Sequence, residues 1–319
     1  MTLPAVTRVH RVRDTLPKPT DRLSLGRSGL SVSPLWLGLV DDPRTVSAAF
    51  EAGINFFFLS ADLHWPLYEG VRRGLADLLR RRGVRDDIVV GVVTYISQPG
   101  MCWVPLEEAV AAVPRLGRVD VSVAGAIHGW DLVRRRDEHE QQRRSGYCGT
   151  RAIGATFHDR TAALQATAGG LLEIAGIRYN PDHAGARYDV FPFLPARRRT
   201  LLYCFNTTVG HVAAHRCKEL GLAADLWRPH VTDAYRFALT SAALDGLLVA
   251  PRTPRQLQGL VDALEKGPLS RDEERYLIEL ARVSVGQAKL RESARAGQTN
   301  SPDAAPTRGR GRRRPFSRL

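Results

Sequence analysis

The sequence predicts an α/β chain of the TIM type, a (β/α)8 barrel. Eight short apolar runs alternate with segments of helical periodicity. The repeat is about 30 residues, the length of a strand with its crossover helix. The runs are apolar throughout, as strands covered on both faces are. A doubly wound sheet is the alternative, weakened because no GxGxxG follows the first run. The length of 319 residues accommodates such a barrel, which takes roughly 250 residues.

The strands are expected around Trp36, Asn55, Val89, Val121, Ile153, Ile177, Leu202 and Leu247. After "SPLWLGL" comes the helix-like "DPRTVSAAFEAG", then "INFFFL". The next segment, "YEGVRRGLADLLRRRG", sets Val71, Leu75, Leu78 and Leu79 on one helical face. "DIVVGVV" is followed by the helix "PLEEAVAAVPRLG", and "VDVSVAGAI" by the highly charged "WDLVRRRDEHEQQRRSGYCGT". After "TRAIGATF", Asp159 is placed to cap "DRTAALQATAGG" and Gly169 to stop it. "LEIAGIRY", "TLLYCF" and "DGLLVA" supply the last strands, and "TPRQLQGLVDALEKG" with "SRDEERYLIELARVSVGQ" the last helices. Residues 1–21 and 290–319 are read as flexible ends around a folded part spanning 22–289.

Composition narrows the function. Hydrophobic residues make up 44% of the chain, enough for a sizeable core. No apolar run approaches the roughly 18 residues of a membrane span, and the N-terminus lacks a signal-peptide core. A cytoplasmic protein without membrane contact is the simplest expectation. Cys102, Cys148, Cys204 and Cys217 fit neither a zinc spacing nor a disulfide framework and read as reduced thiols. The net charge of +13 is concentrated in part in the tail "TRGRGRRRPFSRL". That tail offers contact to nucleic acid or anionic lipid, but a solvated terminus is the simpler reading. No folded-domain motif for reading nucleic acid is present.

"RLSLGRSGLSVSPLWLGL", "EAGINFFFLSAD", "RDDIVVGVV", "GAIHGWD", "TRAIGATF", "EIAGIRYN" and "LLVAPRTPRQLQGLVDAL" together resemble the aldo-keto reductases. The resemblance runs from about Arg22 to Gln287. It implies a β-hairpin closing the barrel floor before the first strand. It also implies hydride transfer from NADPH to a carbonyl, with tyrosine as proton donor, lysine and aspartate tuning it, and histidine orienting substrate. Carried over, the aspartate falls at Leu59, or at Phe58 with a one-residue slip. The tyrosine falls at His64, the lysine at Val93, and the histidine at His128. The carboxamide-holding Ser-Asn pair falls at Thr156 and Phe157, and the glutamine at Gly176. Tyr179 is the expected nicotinamide-stacking residue. Arg252, Thr253 and Gln256 stand where the family binds the adenosine phosphate, and NADPH is the cofactor this implies.

Chemistry in such a barrel sits at the C-terminal ends of the strands. The groups expected there include Asp62, His64 and Tyr68, then Tyr95, His128, Trp130, His158, Arg178 and Asn206. An imidazole in general titrates near neutrality, so His64 is a candidate for proton transfer, or it faces solvent on a loop. Asp62 orients His64, or is solvated. His128 contacts substrate, or is packed within the barrel. Tyr68 and Tyr95 offer phenols, whose ordinary pKa near 10 suits them poorly to neutral pH. Arg178 binds an acidic substrate, or pairs with Asp182 or Asp189. No HxH or HExxH spacing supports a metal site. Two functions follow. One is a small-molecule enzyme of altered chemistry, either weak NADPH-linked reduction or acid–base work by His128 and His64. The other is a non-catalytic barrel that binds or scaffolds a protein partner.

Overall fold

The structure, a computed structural model, describes residues 11–62 and 64–299, with side chains described to 288. A two-stranded antiparallel hairpin comes first, β1 (Leu23–Ser24) and β2 (Ser31–Val32). Eight parallel strands follow: β3 (Leu35–Leu37), β4 (Phe56–Ser60), β5 (Val89–Thr94), β6 (Val121–Ile127), β7 (Ala152–Phe157), β8 (Ile174–Arg178), β9 (Leu201–Phe205) and β10 (Gly246–Val249). They pair in chain order, and β10 closes on β3. The barrel and its hairpin are those the sequence predicts.

Local chemistry accounts for the helices. Helix Glu69–Leu78 buries Val71, Leu75 and Leu78 against the sheet, and Leu79 just beyond it is buried too. The Asp159 carboxylate accepts the Thr161 and Ala162 N–H groups at 2.9 and 3.2 Å, capping helix Arg160–Ala168. Among the described residues no helix is long and apolar enough to cross a membrane. The four cysteines form no disulfide; Cys102, Cys204 and Cys217 are buried.

Strand register decides which side chains fill the barrel. Trp36 pairs with Phe56, Phe58 with Gly91, Ser60 with Val93, and Val93 with Val123. Continuing around, Val123 pairs with Gly154, Thr156 with Gly176, Gly176 with Tyr203, and Arg178 with Phe205. Residues paired across parallel strands share a face, so all of these point inward. The filling is aromatic rings laid over glycines. A Cβ on Gly91 would meet Trp36 Cζ2 at 2.6 Å, one on Gly125 the Tyr95 ring at 2.6 Å, and one on Gly246 the Tyr203 ring at 2.5 Å.

The floor is tied by polar contacts. The Asn55 side chain accepts the Ser33 N–H at 2.8 Å and donates to the Ser31 carbonyl at 2.9 Å, fixing the hairpin to β4. Residues 11–21, read from sequence as part of a flexible end, are held here as well. Val12 bridges Ser241, and the Arg13 guanidinium donates to the carbonyls of Leu239, Ser241 and Leu244. At the other end, helix Arg271–Thr299 continues into the segment read as tail. The basic stretch itself lies outside the described residues.

Candidate functional site at the barrel mouth

Two sets of polar groups stand at the C-terminal end of the barrel. The first stands above β4 and β5. Asp62 accepts the Ser60 hydroxyl at 2.8 Å and the Tyr95 N–H at 2.6 Å. Asp62 is thus fixed by β4 and β5 and does not bond to His64. The His64 ring instead lies against Tyr95, centroids 4.9 Å apart, and its Nδ1 is buried with no hydrogen-bond partner. Tyr68 is buried beside Phe58, with ring centroids 5.8 Å apart. Burial pushes its phenol well above the ordinary tyrosine value, and nearby Tyr95 and Asp62 add to this. Tyr95 is raised by the same two causes, burial and then Asp62.

The second group stands above β6, β7 and β8. A bulge between Ala124 and Ile127 leaves Ala126 at φ 54°, with its N–H bonded to Thr156 Oγ1 at 3.0 Å. Beyond it His128 is exposed, not packed within the barrel, and its ring is parallel to the exposed Trp130, with 6.2 Å between centroids. The His128 N–H is taken by Asp131 Oδ1 at 2.8 Å. His158 meets Phe205 edge-on at 5.6 Å. Its pKa is lowered by partial burial, then by the charges of Arg178 and His128. Arg178 points inward from the end of β8, paired in register with Phe205.

The structure separates the two positions read as the family's aspartate. Phe58 points inward, its ring 4.8 Å from Trp36, while Leu59 turns to the helix side. Val93 is inward and buried. Tyr179 is fully buried behind the sheet. It stacks on Phe237 at 5.3 Å, and its hydroxyl accepts Arg187 Nε at 2.5 Å. Arg187 in turn pairs with Glu274 of the last helix.

Arg252, Thr253 and Gln256 are already bonded to their own loop. Thr253 accepts the Gln256 N–H at 3.3 Å, and Gln256 Oε1 accepts the Arg252 N–H at 2.7 Å. This reciprocal cap starts helix Pro254–Glu265. The Arg252 guanidinium bonds Asp41 at 3.0 Å, and its carbonyl accepts the N–H groups of Asp41 and Asp42. Tyr179 is thus sealed away from the mouth and offers no face to a nicotinamide ring, while Arg252 stands in an exposed pair with Asp41. Among the described residues, no cluster of three or more His, Cys, Asp or Glu side chains is placed to hold a metal ion.

A separate cavity of about 360 Å³ opens on the barrel flank, lined by Cys102, Trp103, Glu138, Gln142 and Tyr147 among others. It lies between the loop after β5 and helix Leu132–Ser145, outside the mouth, and its volume falls in the range of small-molecule pockets. The polar groups named above gather at the mouth and not around this cavity.

Comparison with solved structures supports the architecture. The chain resembles an aldo-keto reductase from Bacillus halodurans in its holo form, with a TM-score of 0.62 at 16% identity. That match covers 82% of this chain and 96% of the other. It also resembles a Pseudomonas aeruginosa protein assigned to the aldo-keto reductases, with a TM-score of 0.53 at 17% identity, covering 80% and 98%. At such identities the likeness establishes an aldo-keto-reductase-like barrel. No protein-family model and no curated protein sequence matches the chain.

Proposed function

We propose that the barrel binds a small molecule at its mouth and acts on it by proton transfer, without a nicotinamide cofactor. The observation that carries this reading is His64. Its ring lies at the mouth against Tyr95, and its Nδ1 has no partner within the protein. An imidazole carries two ring nitrogens that can donate or accept a hydrogen bond, so the unpartnered nitrogen is available to a ligand. The phenols of Tyr95, which the ring contacts, and of the buried Tyr68 are raised by burial and stay protonated, so they supply hydrogen bonds and not protons. Asp62, held by β4 and β5, shapes the pocket and adds negative charge to its wall.

The test is proton NMR in D2O of a small-metabolite extract incubated with the protein and no added NADPH. Deuterium incorporation or conversion of a metabolite is expected, falling by about 10²-fold or more in His64→Ala. Micromolar NADPH binding by calorimetry, with carbonyl-dependent NADPH oxidation, would overturn the reading. A second reading, a barrel that binds without reacting, draws support from Phe205 at the end of β9 and the exposed Trp130 at the rim, which offer apolar surface. It is the conclusion if ligands bind and His64→Ala leaves every metabolite signal unchanged.

A further inference from the structure

Arg178 stands out because its charge is uncompensated. It occupies the last position of β8 and faces inward, half-buried at the top of the barrel. Its Nε is buried without a hydrogen-bond partner. The two carboxylates closest in sequence are engaged elsewhere: Asp189 bonds Arg160 at 2.6 Å, and Asp182 contacts His183 at 3.2 Å. Among the described residues, no carboxylate lies within ion-pair distance of Arg178. His158 lies close enough to feel the charges of both Arg178 and His128, and it adds no negative charge. A half-buried guanidinium whose Nε has no partner gains a hydrogen bond when an anion arrives.

The surroundings define that anion. Phe205 lies beside Arg178 in register and carries the His158 ring against its edge. Trp130 and His128 form a parallel pair at the rim. We propose that Arg178, with His158 and His128, seats the carboxylate of a small ligand whose flat apolar body rests between Phe205 and Trp130. A planar guanidinium suits a planar carboxylate through two parallel hydrogen bonds. The aromatic walls take the body by stacking and edge contact. This deepens the reading of the mouth as a small-molecule site by naming the class of ligand, and it requires no particular reaction.

Calorimetric titration of the full chain tests it with three probes. Benzoate carries charge and body, benzamide the body alone, and inorganic phosphate the charge alone. Saturable benzoate binding is expected at or below about 10 mM, the range reachable by so small a ligand. Binding should be at least tenfold weaker for benzamide and for phosphate, and for benzoate on Arg178→Gln. The urea midpoint of Arg178→Gln should equal or exceed that of the parent, because the change removes an unpaired charge. The proposal is overturned by benzoate failing to saturate, by either other probe matching it, or by benzoate binding that survives Arg178→Gln. A loss of stability in that variant would also sink it, by showing the arginine to be structural. NADPH binding would defeat the proton-transfer reading and leave these outcomes standing.

Discussion

Trp36 lies flat on Phe56, ring centroids 4.2 Å apart, and is flanked edge-on by Phe58 and Tyr203. The indole has no room to swing away, so the empty side of Gly91 is a packing requirement. Gly91→Ala should destabilise the protein by about 1–3 kcal/mol through overpacking, read as a lower urea midpoint with unchanged slope. An unchanged midpoint would mean that the aromatic stack is loose. The glycine in "DIVVGVV" is plain in the sequence, but what lies above it depends on strand pairing 55 residues away in the chain (Trp36 to Gly91). Arg178 was legible as a residue of the mouth, but its pairing was not. The nearby Asp189 and Asp182 contact Arg160 and His183, and the register with Phe205 turns the side chain inward.

Helix Leu132–Ser145 reverses the usual amphipathic arrangement. Its barrel-facing stripe is Leu132, Arg135, His139 and Gln142, three of them polar. Each of these polar side chains makes at least one hydrogen bond, although Arg135 Nε and His139 Nε2 are buried without a partner. Arg135 donates to the carbonyls of Gly125 at 2.6 Å and Thr94 at 3.0 Å, beside the β6 bulge. His139 Nδ1 bonds Ser122 Oγ at 2.6 Å, and Gln142 accepts from the Cys102 thiol. Burial, then the Arg135 charge, holds the His139 pKa down to about 3 from an ordinary 6.5. Above pH 6.5 the folded and unfolded chains both carry this histidine neutral, and it adds no pH dependence. Below 6.5 the unfolded chain takes up the proton first, so stability falls as pH drops, by up to about 1.4 kcal/mol per unit. His139→Gln should flatten this part of the profile between pH 6.5 and about 4, measured as the difference between the two proteins' urea midpoints. Equal slopes would show His139 to be protonated in the fold. Hydrophobic periodicity cannot detect such a helix, because its buried face carries hydrogen bonds in place of apolar surface. Elements with an apolar stripe, such as Glu69–Leu78, were legible at once.

At the scale of the whole molecule, the order of the strands and the floor hairpin were legible because every unit repeats the same pattern. The hold on the N-terminal segment was not. It depends on Arg13 meeting three carbonyls of the turn before β10, more than two hundred residues away in the chain. Arg13→Met should cost about 1–3 kcal/mol by leaving buried carbonyls without donors, seen as a lower urea midpoint. No change would mean that water satisfies those carbonyls as well as the guanidinium does. The closure of β10 on β3 has a further consequence, which concerns synthesis. Strand β3 leaves the ribosome well before its partner β10, with seven of the eight barrel strands made by the time β10 appears. At roughly 5–20 residues per second, one edge of the growing sheet stays unpaired for on the order of tens of seconds. The short three-residue length of β3 keeps that open edge a poor template for another chain.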